Sequence, residues 1–283
     1  MISADVIGSE VTRTDPAPAG RDGPASRWWP YRYGPHPAQV ADLALPASGV
    51  ARGVAITVHG GYWRARYDRS LEHPVAADLI AAGWAVWNLD YRAVGAGPSD
   101  GGGWPRTYLD VAAGVDALAG AAAEHGLDLG AVPVIGHSAG GALALWTAGR
   151  HRLPAGAPGA APRVRPAAVV AQAAICDLVT GAGAGLGAGA IVELMGAGPD
   201  ALPEPYALAS ASALLPLGVP LLLVHGLDDD TVPSAQSVAF AAAARAAGDV
   251  VTLDLLPGEG HFGHLDPASP SWAAVRVWLD RTL

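Results

Sequence analysis

Short, mainly apolar runs alternate along this chain with longer stretches whose apolar residues recur at helical spacing. The run at 53–58 suits a strand buried in a parallel sheet, and further strands are predicted at 84–89, 132–135, 167–171, 220–224 and 250–255. Between them, 71–82 reads as a helix that stops at Gly83, and 105–126 as an alanine-rich helix opened by Pro105 and closed near Gly126. Further helices are predicted over 139–151, 234–247 and 271–283. The aromatic stretch 28–34 is followed at 39–46 by the alternation of an edge strand. Strands alternating with helices of ten or more residues predict an α/β protein with a parallel, doubly wound sheet.

Three segments fall outside this rhythm. The first 25 residues are polar and rich in Pro, Gly and Asp and read as a poorly ordered tail, which leaves 26–283 as a single domain. Residues 152–165 are proline- and alanine-rich and read as a loop. Residues 177–217 contain the run 181–190, which is too glycine-rich for a stable helix. This segment is expected to be either a mobile cover over the sheet's rim or a flexible connection.

Composition narrows the chemistry. The chain has 283 residues, 51% of them hydrophobic and 15% charged, which suits a folded domain with a large core. Its net charge of -9 argues against nucleic-acid or anionic-membrane partners. No signal-peptide pattern opens the sequence and no long apolar span occurs, so a cytoplasmic location is expected. All 17 Lys+Arg positions are arginine. Schiff-base chemistry and a P-loop lysine are thereby excluded. The single cysteine, Cys176, precludes an intrachain disulfide and a cysteine zinc site, and its apolar run predicts a buried packing residue.

The candidate chemistry starts at Gly136-His137-Ser138-Ala139-Gly140, between a predicted strand and a predicted helix. That is the local plan of a nucleophile elbow, where flanking glycines permit a sharp turn and the serine hydroxyl projects above the sheet. With 37 glycines and 13 serines in 283 residues, such a pattern arises by chance about 0.2 times, so its partners decide the matter. A serine needs a histidine base, and the histidine a carboxylate. After the run 220–224 come Asp228, Asp229 and Asp230; after 250–255 come His261 and His264. The order Ser, acid, His matches the elbow class. Asp229 is assigned the acid role, with its two neighbours as alternatives. His261, flanked by glycine, is taken as the base over His264, which reads as a surface residue or one at the start of a helix.

His59-Gly60-Gly61-Tyr62-Trp63 also follows a predicted strand. Glycine there lets main-chain N–H groups approach a substrate oxyanion, and Ala139 N–H supplies another. Gly61, Tyr62 and Ala139 are therefore the expected oxyanion donors. Trp63 and Trp104 are expected to contribute an aromatic or acyl-binding wall. His137 is expected to pack under the elbow, and His225 to end its strand as a core or backbone-bonded side chain. All these loops follow strands, and parallel sheets bind ligands at the carboxyl ends of strands.

Together, His59-Gly60-Gly61-Tyr62-Trp63, Gly136-His137-Ser138-Ala139-Gly140 and His225-Gly226…Asp229…Val232-Pro233 resemble the α/β-hydrolase superfamily, in its esterase/lipase branch with an HGG oxyanion loop. The first motif is similar to that of kynurenine formamidase (arylformamidase) and its bacterial esterase relatives. The resemblance spans most of 33–283. It implies an α/β-hydrolase fold, a mostly parallel central sheet flanked by helices, and a triad of Ser138, Asp229 and His261. It also implies hydrolysis of a small carboxylic ester or an N-formyl or aryl amide through an acyl-serine. No metal or organic cofactor is needed for such chemistry. A non-catalytic ligand-binding module and an acyltransferase on the same triad are the alternative readings; the oligomeric state is left open.

Overall fold

Strands that carry apolar residues on both faces must be covered on both faces, and this requirement organises the molecule. A computed structural model describes Thr12–Arg13 and residues 28–283. The tail expected at 1–25 lies outside the described residues, apart from that pair. Nine strands form one sheet in the order β1-β2-β3-β5-β4-β6-β7-β8-β9. They are β1 (Thr12–Arg13), β2 (Trp28–Arg32), β3 (Val40–Ala44), β4 (Val54–Val58), β5 (Ala85–Leu89), β6 (Pro133–His137), β7 (Ala168–Gln172), β8 (Leu221–Gly226) and β9 (Val251–Leu256). The first three pair antiparallel with their neighbours. From β5 through β9 every pairing is parallel.

Successive side chains on a strand face opposite sides. Val169 and Ala171 join one core, and Val170, between them, joins the other. The larger core is closed by α2 (Arg106–His125), α3 (Ala139–Gly149) and α7 (Ala235–Ala246). The smaller lies under α1 (His73–Ala81) and α8 (Pro270–Thr282), which are linked where Trp272 Nε1 donates to Asp78 at 2.7 Å. The predicted strands and long helices appear within a few residues of their expected bounds. The segment at 71–82 is a 3-10 turn, Arg69–Glu72, leading into α1.

Two expectations are corrected. The segment at 39–46 is no edge strand: β3 lies between β2 and β5 in full register, and its polar Asp42 is held by Arg69 rather than solvent. The segment 177–217 is not structureless. It holds α4 (Leu178–Gly183), α5 (Leu186–Met195), α6 (Pro203–Ala209) and a 3-10 turn, Ala211–Leu214. The glycine argument still describes its middle. Gly187, Ala188 and Gly189 have φ of 63°, 53° and 83°, outside helical space, so regular helix is confined to the rest of α5. Asp177 stabilises the start of α4 by accepting from Thr180 N–H at 2.7 Å.

Candidate active site

β4, β6 and β8 deliver three loops to one rim of the sheet, and a fourth follows β9. After β6 the chain turns at Ser138 into α3. Ser138 has φ 56° and ψ -119°, a conformation that is strained for a residue with a side chain. Neighbouring contacts enforce it: a Cβ at Gly136 would overlap the Gly140 carbonyl, and a Cβ at Gly140 would overlap that of Val58. Ser138 N–H donates to Gln172 O at 2.7 Å, fixing the turn to β7.

The acid and base loops meet each other. His261 Nδ1 lies 2.7 Å from Asp229 Oδ2. A carboxylate there only accepts, so Nδ1 carries the proton and Nε2 keeps its lone pair. Asp229 Oδ1 accepts from Thr231 N–H and Val232 N–H, both at 2.8 Å. Its side chain is 0% exposed, with His225 Nε2 at 3.2 Å from Oδ2. Burial alone would push this carboxyl upward. The bonds from His225, His261 and Val232 outweigh it and hold Asp229 well below the usual carboxylate range. Asp228 and Asp230 are exposed, and Asp230 accepts only from the Thr231 hydroxyl. Of the three adjacent aspartates, the middle one reaches histidine.

His137 joins the base loop to the elbow. Its Nε2–H donates to the His261 carbonyl at 2.8 Å, and the two rings are 4.7 Å apart. Burial, reinforced by His261 and His264, holds His137 well below the ordinary imidazole value, so its ring is neutral. His264 is not a surface residue. It lies wholly buried on the 3-10 turn Gly263–Leu265, and neither ring nitrogen has a partner among the described residues. Burial, with His225 and His261 nearby, lowers it to about 3. His225 is bonded to the backbone, as Nε2 donates to Val232 O at 2.9 Å while Nδ1 meets the Ser237 hydroxyl at 2.8 Å.

The loop after β4 lies against the elbow. A Cβ at Gly60 would sit 2.7 Å from His137 O and 3.1 Å from Ser138 Cβ. Gly61, Tyr62 and Trp63 follow with φ of 102°, 53° and 55°. His59 sets the direction of this loop. Its Nδ1–H donates to the Gly60 carbonyl at 2.8 Å, and its Nε2 is 3.2 Å from Asp90 Oδ1. A peptide's C=O and N–H point opposite ways, so turning the Gly60 carbonyl toward the ring turns Gly61 N–H away from it. Asp90 is held in turn by Tyr91 N–H and Arg69, and the Tyr91 ring stacks on His59 at 4.3 Å. Among the described residues, no acceptor takes the N–H of Gly61, Tyr62 or Ala139. Such donors are suited to an oxygen that gains negative charge.

The two tryptophans expected to line a wall separate. Trp63 is 0% exposed within the larger core, so it serves packing and forms no open wall. Trp104 is half-buried, its ring 5.1 Å from Tyr108, and its main-chain N–H donates to Leu194 O in α5. Among the described residues it makes no bond to Ser138, Asp229 or His261. Cys176 is buried, and burial pushes its thiol up to about 12, in keeping with packing. The support given by Thr231, Val232, His59 and Asp90 depends on contacts between loops that no motif in the sequence spells out. The nearest signals are the residues after Asp229 and the histidine that opens the glycine pair.

No helix among the described residues is long and apolar enough to cross a membrane. The chain is similar to Esterase LipQ of Mycobacterium tuberculosis, 28% identical over 224 residues that make up 76% of this chain and 51% of that protein. It thus spans about half the length of that relative. Among solved structures it is similar to Esterase B from Lactobacillus rhamnosus, with TM-score 0.77 at 23% identity, covering 93% of this chain and 87% of the other. It is also similar to a truncated carbohydrate esterase from gut microbiota, with TM-score 0.76 at 21% identity over 89% and 94% of the two chains. At these identities the likeness speaks for the α/β-hydrolase fold alone. The BD-FAE family pattern matches residues 41–243, most of the chain, and the chain belongs to the BD-FAE family.

Proposed function

We propose that this protein is a serine hydrolase of small carboxylic esters. The observation that carries the reading is the 2.7 Å bond between Asp229 and His261 Nδ1, on the same rim of the sheet as a serine held in a strained elbow. In the proposed reaction His261 Nε2 takes the Ser138 hydroxyl proton as Oγ attacks the ester carbonyl carbon. The carbonyl oxygen becomes an oxyanion, and the N–H groups of Gly61, Tyr62 and Ala139 stabilise it. Collapse breaks the bond to the alcohol, which leaves with the proton from His261, and an acyl-Ser138 remains. Water repeats the sequence, releasing the acid and restoring Ser138. Asp229 holds the imidazole in the required tautomer and stabilises the charged ring that forms transiently.

The family match and the esterase relative support ester hydrolysis. The His59–Trp63 motif extends the reading to N-formyl aryl amides, whose breakdown follows the same steps with an amine as leaving group. The test is Ser138→Ala assayed with p-nitrophenyl acetate, alongside covalent labelling of the wild type by a fluorophosphonate. Loss of turnover in the variant and labelling at Ser138 are expected; undiminished turnover overturns the mechanism. Comparing N-formylkynurenine with short and aromatic esters ranks the two substrate classes.

A further inference from the structure

Ser138 is 2% exposed and His261 4%, yet Leu227 and Phe262 on the same rim are 48% and 68% exposed. Something local covers the two reacting groups. Tyr62 follows β4 and Thr231 follows β8, and the order β4-β6-β7-β8 puts three strand spacings, about 14 Å, between those strand ends. The Tyr62 hydroxyl nevertheless donates to the Thr231 carbonyl at 3.0 Å. A tyrosine side chain covers only about half of that span, so the loops after β4 and β8 lean toward each other, and the Tyr62–Thr231 bond joins them across the part of the rim that includes the end of β6, which leads into Ser138. Burial and the nearby Asp229 carboxylate both push the Tyr62 hydroxyl above its ordinary value, consistent with that position.

The ring is held from its other side by the cover segment. A Cβ at Gly187 would overlap the Tyr62 ring, so this position admits the ring only because it is glycine. Arg64 fixes the same turn, donating to Gly187 O at 3.0 Å and to Glu193 at 3.2 Å. The turn includes Ala188 at φ 53°, a conformation L-residues seldom adopt. The fastenings are of a kind that exchanges readily with water: one neutral hydrogen bond, one Arg64 bond to a main-chain carbonyl and a partly exposed ion pair. Rotation of the Tyr62 side chain about its own bonds leaves its main-chain N–H in place.

Resting on the reading of Ser138 as nucleophile, we propose that Tyr62 determines specificity by size. Its side chain, backed by the Gly187 turn, forms a crossbar over Ser138. Short acyl groups pass beneath it, and longer ones require the Tyr62–Thr231 bond to open. Removing the bar relaxes selection against long chains, and loosening its backing does so more weakly.

The experiment compares kcat/KM for p-nitrophenyl octanoate and p-nitrophenyl acetate in the wild type, Tyr62→Phe, Tyr62→Ala and Arg64→Ala. The octanoate-to-acetate ratio is expected to rise about tenfold in Tyr62→Ala and a few-fold in Tyr62→Phe and Arg64→Ala, with acetate turnover unchanged in Arg64→Ala. Tyr62→Phe and Arg64→Ala leave no large void, so they carry the comparison if Tyr62→Ala folds poorly. A compact fluorophosphonate is applied to every protein. Labelling at Ser138 with an unchanged ratio in Tyr62→Phe and Arg64→Ala overturns the crossbar. Absence of labelling in the wild type overturns the nucleophile reading instead.

Discussion

His137 donates its Nε2–H to the main-chain carbonyl of His261 at 2.8 Å, so the residue preceding Ser138 fixes the loop that carries the proposed base. Small displacements of a base cost large factors in rate. His137→Ala is expected to lower kcat about tenfold to a hundredfold with little change in KM. His137→Gln, whose amide nitrogen replaces Nε2, recovers part of the loss. Equal losses in the two variants would show that ring packing, rather than the donor, matters.

Asp229, Asp228 and Asp230 differ in what they touch, and their amides separate them. Asp229→Asn keeps the shape but no longer demands a proton on His261 Nδ1. A loss of about 10⁴ in kcat is expected, by analogy with the loss of a triad carboxylate. Asp228→Asn and Asp230→Asn are expected to stay within about twofold of wild type, because both side chains stand in solvent. A large loss in either outer variant reassigns the acid.

Glu72 is buried with no partner for either oxygen among the described residues, and burial pushes its carboxyl from 4.5 up to about 8. The folded value lies above the unfolded one, so this group's contribution to stability is intact below pH 4.5 and is lost as pH rises toward 8. At pH 7 the loss is about 3 kcal/mol by linkage. Glu72→Gln is expected to stabilise the protein by about that amount at pH 7 and to have little effect at pH 4. Urea unfolding at the two pH values checks the difference; an equal effect at both would mean the carboxyl is not titrating.

His264 behaves in the opposite sense at acid pH. Burial lowers it from 6.5 to about 3, so the unfolded chain binds a proton that the folded chain refuses. Stability is full above pH 6.5 and declines as pH falls toward 3, by about 1.4 kcal/mol per pH unit for each such group. His137, also held low, adds a second contribution of the same sign. His264→Leu is expected to flatten the acid limb of the stability curve by about one proton's slope. An unchanged slope would show that His264 is protonated in the native state.

Much of this architecture is legible in the sequence, because strands covered on both faces have few polar positions to obscure them. β6 and β8 announce themselves as apolar runs, and the glycines around Ser138 mark the turn between β6 and α3. The meeting of Asp229 with His261 follows from chain order and from placement after parallel strands. Other features depend on distant partners. β3 is internal because β2 pairs along its outer side, and that register is not encoded in its own alternation. Trp63 is buried in a loop whose residues 61–63 all have positive φ, and single-residue propensity gives no hint of that. His264 is buried without partners among the described residues, a state that polar character argues against. The helices of 177–217 are supported by tertiary contacts where local glycine content opposes them.

The segment 177–217 enters the chain as one continuous stretch between β7 and β8, whereas Ser138, Asp229 and His261 hang from separate strands locked in register. Exchanging that stretch alters two junctions and leaves every ladder of the sheet in place. Selectivity can therefore drift between lineages through insertion and replacement there, while the atoms proposed to set the rate stay fixed. For protein engineering, transplanting 177–217 from a relative is accordingly a smaller perturbation than moving any one of the three rim loops.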